Sequence, residues 1–292
     1  MKIGRYLLLL VATMIVVAPT IQAQGKKSLA ITKIAATDAL SARMQKQGVA
    51  LSLDSVLQAM DSQVYDRVLN TRRFEILERS DADALATEAG AAGGAFNFTQ
   101  ADYILTIRVD SFNDRMEERH LASLGKTIRA RTIELSAVAK VTEVATQRAV
   151  ASANFRVSKR DAENRSSNTS QRVGEGSDDL MIQAVREMAQ KVAMRLTDVV
   201  SPARILARRG SVVTINRNDE SGIKVGQIWE VMILGDELED PDTGEISLEE
   251  VYVGTVKITR VTPRNSQGMV VEDAGIDKGA VVRLLEDVED DA

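Results

Sequence analysis

Cysteine is missing altogether from the 292 residues, and histidine occurs once, at His120. Without cysteine no disulfide forms, so stability must come from core burial. Thiol catalysis is excluded, and so is a lipid-modified cysteine as an anchor. A single histidine leaves any zinc site to be completed by carboxylates. His120 lies in the charged stretch NDRMEERHLASLG, which is expected to be a loop carrying a solvated histidine. A Ser-His-Asp triad would need the same residue, and no nucleophile-elbow sequence accompanies it. Aromatics are only 3% of the chain, and the net charge is −5. The first is too few for base stacking, and the second gives no pull toward nucleic acid. Nucleic acid is not an expected partner.

Long apolar runs are lacking too. The longest, LLLLVATMIVVA at 7–18, falls short of the about 20 residues that span a bilayer. Lys2 and Arg5 precede it, and Pro19 and the small Ala23 follow. That order predicts a secretory signal over residues 1–23, cut before Gln24. The expectation is a soluble exported protein of the periplasm that is not a lipoprotein. Peripheral membrane association is compatible with this.

What is present is ordinary globular composition, 44% hydrophobic and 27% charged. The length suits one large or two modest domains. SLAITKIAA, from Ser28 to Ala36, reads as a first strand, followed by a polar connection. In the next segment Leu53, Val56, Leu57, Met60, Val64 and Val68 recur at three and four, which predicts an amphipathic helix with Ser52 as its N-cap. Phe74 to Leu77 is a second strand, and SDADALATEAG a capped short helix ending at Gly90. ADYILTIRVDSF is nearly continuous in apolar and β-branched residues, as in a strand covered on both faces. Alternation from Ile133 to Val141, repeated from Ala149 to Val157, predicts a β-hairpin. The polar KRDAENRSSNTSQRVGEGS is expected to be a mobile loop, and a helix from Asp178 to about Val200, capped by Ser177, to end before Pro202.

Beyond Pro202 the pattern changes to five short strands with close turn signals, which predicts a small all-β, SH3-like barrel. The expected division is therefore an α+β domain over 24–202, a barrel domain over 203–285, and an acidic tail, EDVEDDA, over 286–292.

Motifs that would carry chemistry are weak. GAAGGAF lacks the lysine and hydroxyl residue of a phosphate loop and reads as a connector. DPDTGE breaks calcium-loop spacing at Pro241 and Gly244 and reads as a hairpin turn. Trp229, within QIWEVMIL, is a candidate interaction residue, read as core or partner-facing ahead of ligand-stacking. Glu78-Arg79 at the end of FEIL is a poor acid–base pair, since arginine stays charged at ordinary pH. Ser80 would cap the next helix there, and Asp81 and Asp83 suit its positive end.

In order, FEILERSDADAL, ADYILTIRVDSF and IELSAVAKVTEVATQRAVASANF resemble the TolB amino-terminal-like or CsgG-like domain of curli production assembly and transport. The matching positions are Phe74, Glu78, Arg79, Leu85, Ala101, Asp102, Tyr103 and the turn Val144-Ala145-Thr146. The resemblance covers roughly residues 28–200. RRGSVVTIN, SGIKVGQIWEV and VGTVKITRVTPRNSQGMVV are similar to the carboxy-terminal domain of flagellar assembly protein T. Together they imply a CsgG-like mixed sheet with packed helices, followed by an SH3-like module. Phe74, Glu78, Arg79, Ala101, Asp102 and Tyr103 would be fold-signature residues rather than catalytic ones.

The resemblance implies a non-enzymatic envelope protein, associated with the outer membrane, that serves a secretion, curli-like or flagellar assembly. Its partners would be protein subunits, its own copies included, and no cofactor or metal is called for. Windows around SFNDRMEERHLASLGKTIRAR are too charged for membrane strands, so a transmembrane pore is not expected. The competing readings are a binding module for a small molecule or cell-wall polymer and a carboxylate-dependent hydrolase.

Overall fold

The computed structural model describes residues 25–48, 50–77, 101–121, 126–165, 176–244 and 246–286. The predicted signal, the SDADALATEAG helix with Glu78, Arg79 and Leu85, the GAAGGAF connector and most of the acidic tail lie outside them. Three α-helices, a mixed sheet and a separate antiparallel sheet make up the described residues, which is the α+β class.

The amino-terminal sheet contains β1 (Lys27–Ile31), β2 (Ala35–Ala36), β3 (Phe74–Ile76), β4 (Tyr103–Leu121), β5 (Lys126–Glu143) and β6 (Ala149–Arg165). Its order is β3-β1-β4-β5-β6, with β2 also paired to β4. The pairs among β1, β2, β3 and β4 are parallel, and β4-β5-β6 is an antiparallel meander. The expected single strand from Ser28 to Ala36 is split. The Thr32 N–H still donates to the Leu105 carbonyl at 3.0 Å, but the Ile34 N–H donates to Asp61 Oδ1 at 3.0 Å instead of to a strand.

Helix α1 (Asp38–Lys46) replaces the expected polar connection, started by Thr37, whose hydroxyl accepts from the Leu40 N–H. Helix α2 (Ala50–Asn70) buries Leu53, Val56, Met60, Val64 and Val68, the predicted stripe, and begins before Ser52, which is therefore not its cap. Helix α3 (Gly176–Val200) likewise begins before Ser177 and buries Leu180, Ala184, Met188, Val192 and Leu196. Helices α2 and α3 pack together over the sheet, and α3 rests on β5 and β6.

Strand β4 is covered on one face only. Leu105, Ile107 and Val109 are buried while Arg108 and Asp110 are exposed. A bulge between Val109 and Ser111 shifts the alternation by one, so Phe112 returns to the core. The β4-β5-β6 ribbon runs much further than the apolar pattern suggested. His120 lies in β4 rather than in a loop, and residues 159–165 belong to β6 rather than to a mobile segment. Charged pairs hold this extension: Arg115 with Glu134, Arg131 with Asp114, and Arg160 with Glu117.

The carboxy-terminal sheet contains six strands, one more than expected: β7 (Ile205–Arg209), β8 (Val212–Ile215), β9 (Ile228–Glu239), β10 (Ile246–Val261), β11 (Ser266–Asp273) and β12 (Val281–Glu286). Its order is β12-β9-β10-β11-β8-β7. The two ends meet only through a bridge between Arg204 and Val281 and flanking backbone bonds, such as Val282 N–H to Ala203 O at 2.9 Å. The sheet curls without a closing ladder, so it is not the closed barrel predicted. Gly254 makes part of that curl. It sits at a bulge with φ +142°, and a Cβ there would lie 2.1 Å from the Glu272 carbonyl oxygen.

Candidate functional site

The two sheets meet where the segment after β8 grips the ends of α2 and α3. Asn218 donates from its side-chain amide to the Asn70 carbonyl at 2.8 Å, and Arg67 of α2 pairs with Glu220. A short 3-10 turn, Asp219–Ser221, brings Gly222 against α3. Its φ is +77°, and a Cβ would fall 2.3 Å from Met194 Sδ, so a side chain there would strain the backbone and displace the end of Met194.

Arg217 is the centre of this junction. Its side chain is wholly buried, and its Nη2 donates to Asp198 Oδ1 at 3.0 Å and to the Ser201 carbonyl at 2.8 Å. Its Nε and Nη1 are buried without a hydrogen-bond partner. Burial lowers its pKa against the opposing pull of Asp198. Arg73, in the turn between α2 and β3, is shifted down as well, by burial first and then by the charge of Arg217.

Beside the junction lies a cleft of about 320 Å³. Lys26 and Lys27 enter it from the start of the described chain, Arg72 and Arg73 from the α2–β3 turn, and Arg204 from the approach to β7. Ser201 and Asn216 complete its polar lining, and no carboxylate lines it among the described residues. A second cavity of about 400 Å³ lies between the end of α3 and β12, with Met194, Arg195, Trp229 and Arg283 in its wall.

The residues singled out in the sequence fall elsewhere. Phe74 is buried in the amino-terminal core, as is Ala101 just ahead of β4. Asp102 clasps β1: its Oδ2 accepts from the Ser28 N–H at 2.8 Å and from the Ser28 hydroxyl at 3.0 Å. The Ser28 N–H bond is the main reason its carboxyl titrates below the usual range. Tyr103 packs against the core, with its phenol pushed up by partial burial and by Glu143. Trp229 is 6% exposed in the second core, and its indole N–H donates to Gln227 Oε1 at 3.1 Å. None of these residues lines the basic cleft. The cleft was missed because its cations come from three distant segments, although the adjacent pairs Lys26-Lys27 and Arg72-Arg73 are visible as doublets.

A different surface stands out on the β9–β10 hairpin. Ile233, Leu238, Ile246, Leu248, Val251 and Tyr252 are all large, apolar or aromatic, and exposed. The turn between the strands is the expected DPDTGE: Asp240 Oδ1 accepts from the Asp242 and Thr243 N–H groups, and Gly244 has φ +69°.

No family model and no curated protein matches this chain. Among solved structures it is similar to a Xanthomonas campestris protein of family model DUF330, at 17% identity and a TM-score of 0.33, covering 61% of this chain and 86% of that one. It is also similar to lipoprotein GNA1162 from Neisseria meningitidis, at 13% identity and a TM-score of 0.25, covering 56% and 99%. A third is the PelC dodecamer from Paraburkholderia phytofirmans, at 12% identity and a TM-score of 0.22, covering 57% and 86%. None of the three is described as a curli or flagellar component. These likenesses include a lipoprotein, which stands against the expectation of a protein that is not one. No helix among the described residues is long and apolar enough to cross a membrane. The structural likenesses of this chain are to bacterial envelope and lipoprotein-like proteins.

Proposed function

We propose that this chain is a non-enzymatic component of the cell envelope that works by protein–protein contact, with its own copies or with other subunits. The observation that carries this reading is the β9–β10 arm. Its six large exposed side chains lie within one hairpin. Ile233 and Val251 are cross-strand partners, and the hairpin exposes large apolar side chains on both of its faces, which exceeds the single scattered residues normal on any surface and favours a protein partner. Among the described residues β6 is a long edge strand of the sheet, which a neighbouring strand can extend.

The test is self-association and partner capture. Light scattering on the purified chain and site-directed crosslinking from the arm in whole cells are expected to give a defined oligomer or a discrete crosslinked species. Ile246→Asp together with Leu248→Asp should abolish that species and leave the circular dichroism unchanged. A monomer that crosslinks to nothing would overturn the proposal.

A further inference from the structure

The basic cleft gathers cations with no carboxylate in its described lining, although the Asp102 carboxylate acts on Lys27 from outside it. Over the whole chain Asp and Glu outnumber Lys and Arg, 42 to 37. Here five cations converge on one cleft, with no lining carboxylate among the described residues. Arg204 makes one contact from its Nη1, to the Gly279 carbonyl at 3.1 Å. Arg73 Nε is buried with no hydrogen-bond partner, and the charge of buried Arg217 bears on the same guanidinium. Like charges this close repel unless an anion joins them.

The backbone supplies an independent sign. Arg72 has φ +58°, a left-handed conformation at the end of α2 where glycine or asparagine is the usual choice. An arginine held there costs about 1 kcal/mol or more relative to glycine, a cost that persists at sites where function requires the side chain. At this position the strained residue is one of those that line the cleft.

We propose that this cleft is an oxyanion site that binds a phosphoryl group, carried either by a lipid headgroup or by a soluble phosphate ester. Guanidinium forks match phosphoryl oxygens in pairs, and lysines add point charge. A phosphoryl group brings up to two negative charges and three acceptor oxygens, which suits five cations better than one carboxylate does. The Ser201 hydroxyl and Asn216 amide offer neutral polar groups for the rest of the ligand. A volume of about 320 Å³ admits a headgroup or a small ester. The site shares no residue with the β9–β10 arm, so it stands or falls separately from the assembly reading.

Calorimetry with inorganic pyrophosphate at constant ionic strength tests it, with acetate as the carboxylate control. Saturable one-site binding is expected, at least tenfold weaker in Arg72→Gly and in Arg204→Gln. The first variant suits its backbone and should retain or raise the melting temperature, so lost binding there is not lost folding. Flotation with phosphatidylglycerol vesicles, against pure phosphatidylcholine, separates the two sources. Vesicle binding that both variants abolish puts the phosphoryl group on a lipid, and pyrophosphate binding without vesicle binding puts it on a soluble ester. Absence of saturable binding to either probe, affinities within twofold of the parent in both variants, or equal competition by acetate would overturn the proposal.

Discussion

Asp273 shows how one side chain can hold a loop in the second sheet. Arg208 reaches both of its carboxylate oxygens, and the Gly275 and Ile276 N–H groups donate to Oδ1 at 3.1 and 3.0 Å. These contacts, the Arg208 bond foremost, hold its pKa at about 2. Because the folded value lies below the unfolded carboxylate value of about 3.9, the contribution is present above pH ~4. It is lost as the pH falls from there through about 2. A carbon-detected NMR titration should therefore place the Asp273 midpoint near 2. The melting-temperature difference between the parent and Asp273→Asn should shrink toward zero over that same interval. A midpoint near 4 would mean that the Arg208 clasp does not form in solution. Trp229 gives the opposite lesson at this scale, since its indole is spent on Gln227 inside the core.

Elements follow the pattern of their apolar residues where there is one. In α2 the buried stripe includes Met60, with no exposed surface, while Ser62 two positions on is exposed. Met60→Ala should cost about 3 kcal/mol in urea unfolding, the usual range for a buried methionine. Ser62→Ala should stay within about 0.5 kcal/mol. Similar losses at both positions would mean that α2 does not pack by this face. The outer part of the β4-β5-β6 ribbon obeys a different rule. There the strands continue through ladder bonds and cross-strand ion pairs such as Arg131 with Asp114. Without an apolar face no alternation marks them, so Arg115 to Leu121 and Lys159 to Arg165 looked like loop.

At the scale of the molecule the buried Arg217 is the joint between the halves. It is held by half-exposed Asp198 and by the Ser201 carbonyl, with two of its nitrogens unpartnered. A buried ion pair of this kind is often no more stable than a well-packed apolar replacement, whereas removing one partner strands the other charge. Arg217→Met is therefore expected to be neutral or stabilising in chemical denaturation. Asp198→Ala should destabilise by about 2 kcal/mol, below the usual cost of breaking a fully buried pair because Asp198 is itself open to solvent. If Arg217→Met proved the worse variant, the arginine would be contributing net stability at the junction.

Periodicity in the sequence by itself determined the α2 stripe, the Ile133–Val141 hairpin face and most strands of the second sheet, because burial on one face repeats at the period of the element. The Phe74 strand was legible in the same way, while the Glu78-Arg79 pair beyond it lies outside the described residues. Only the tertiary structure decided that α1 forms, that the second sheet curls without closing, and that β4 is open on one face. These depend on a cap, a bulge and the number of layers, none of which leaves a period in the chain. The basic cleft belongs to the same group. Lys26, Arg72 and Arg204 are far apart in sequence, and their charges add only because the fold brings three segments to one place.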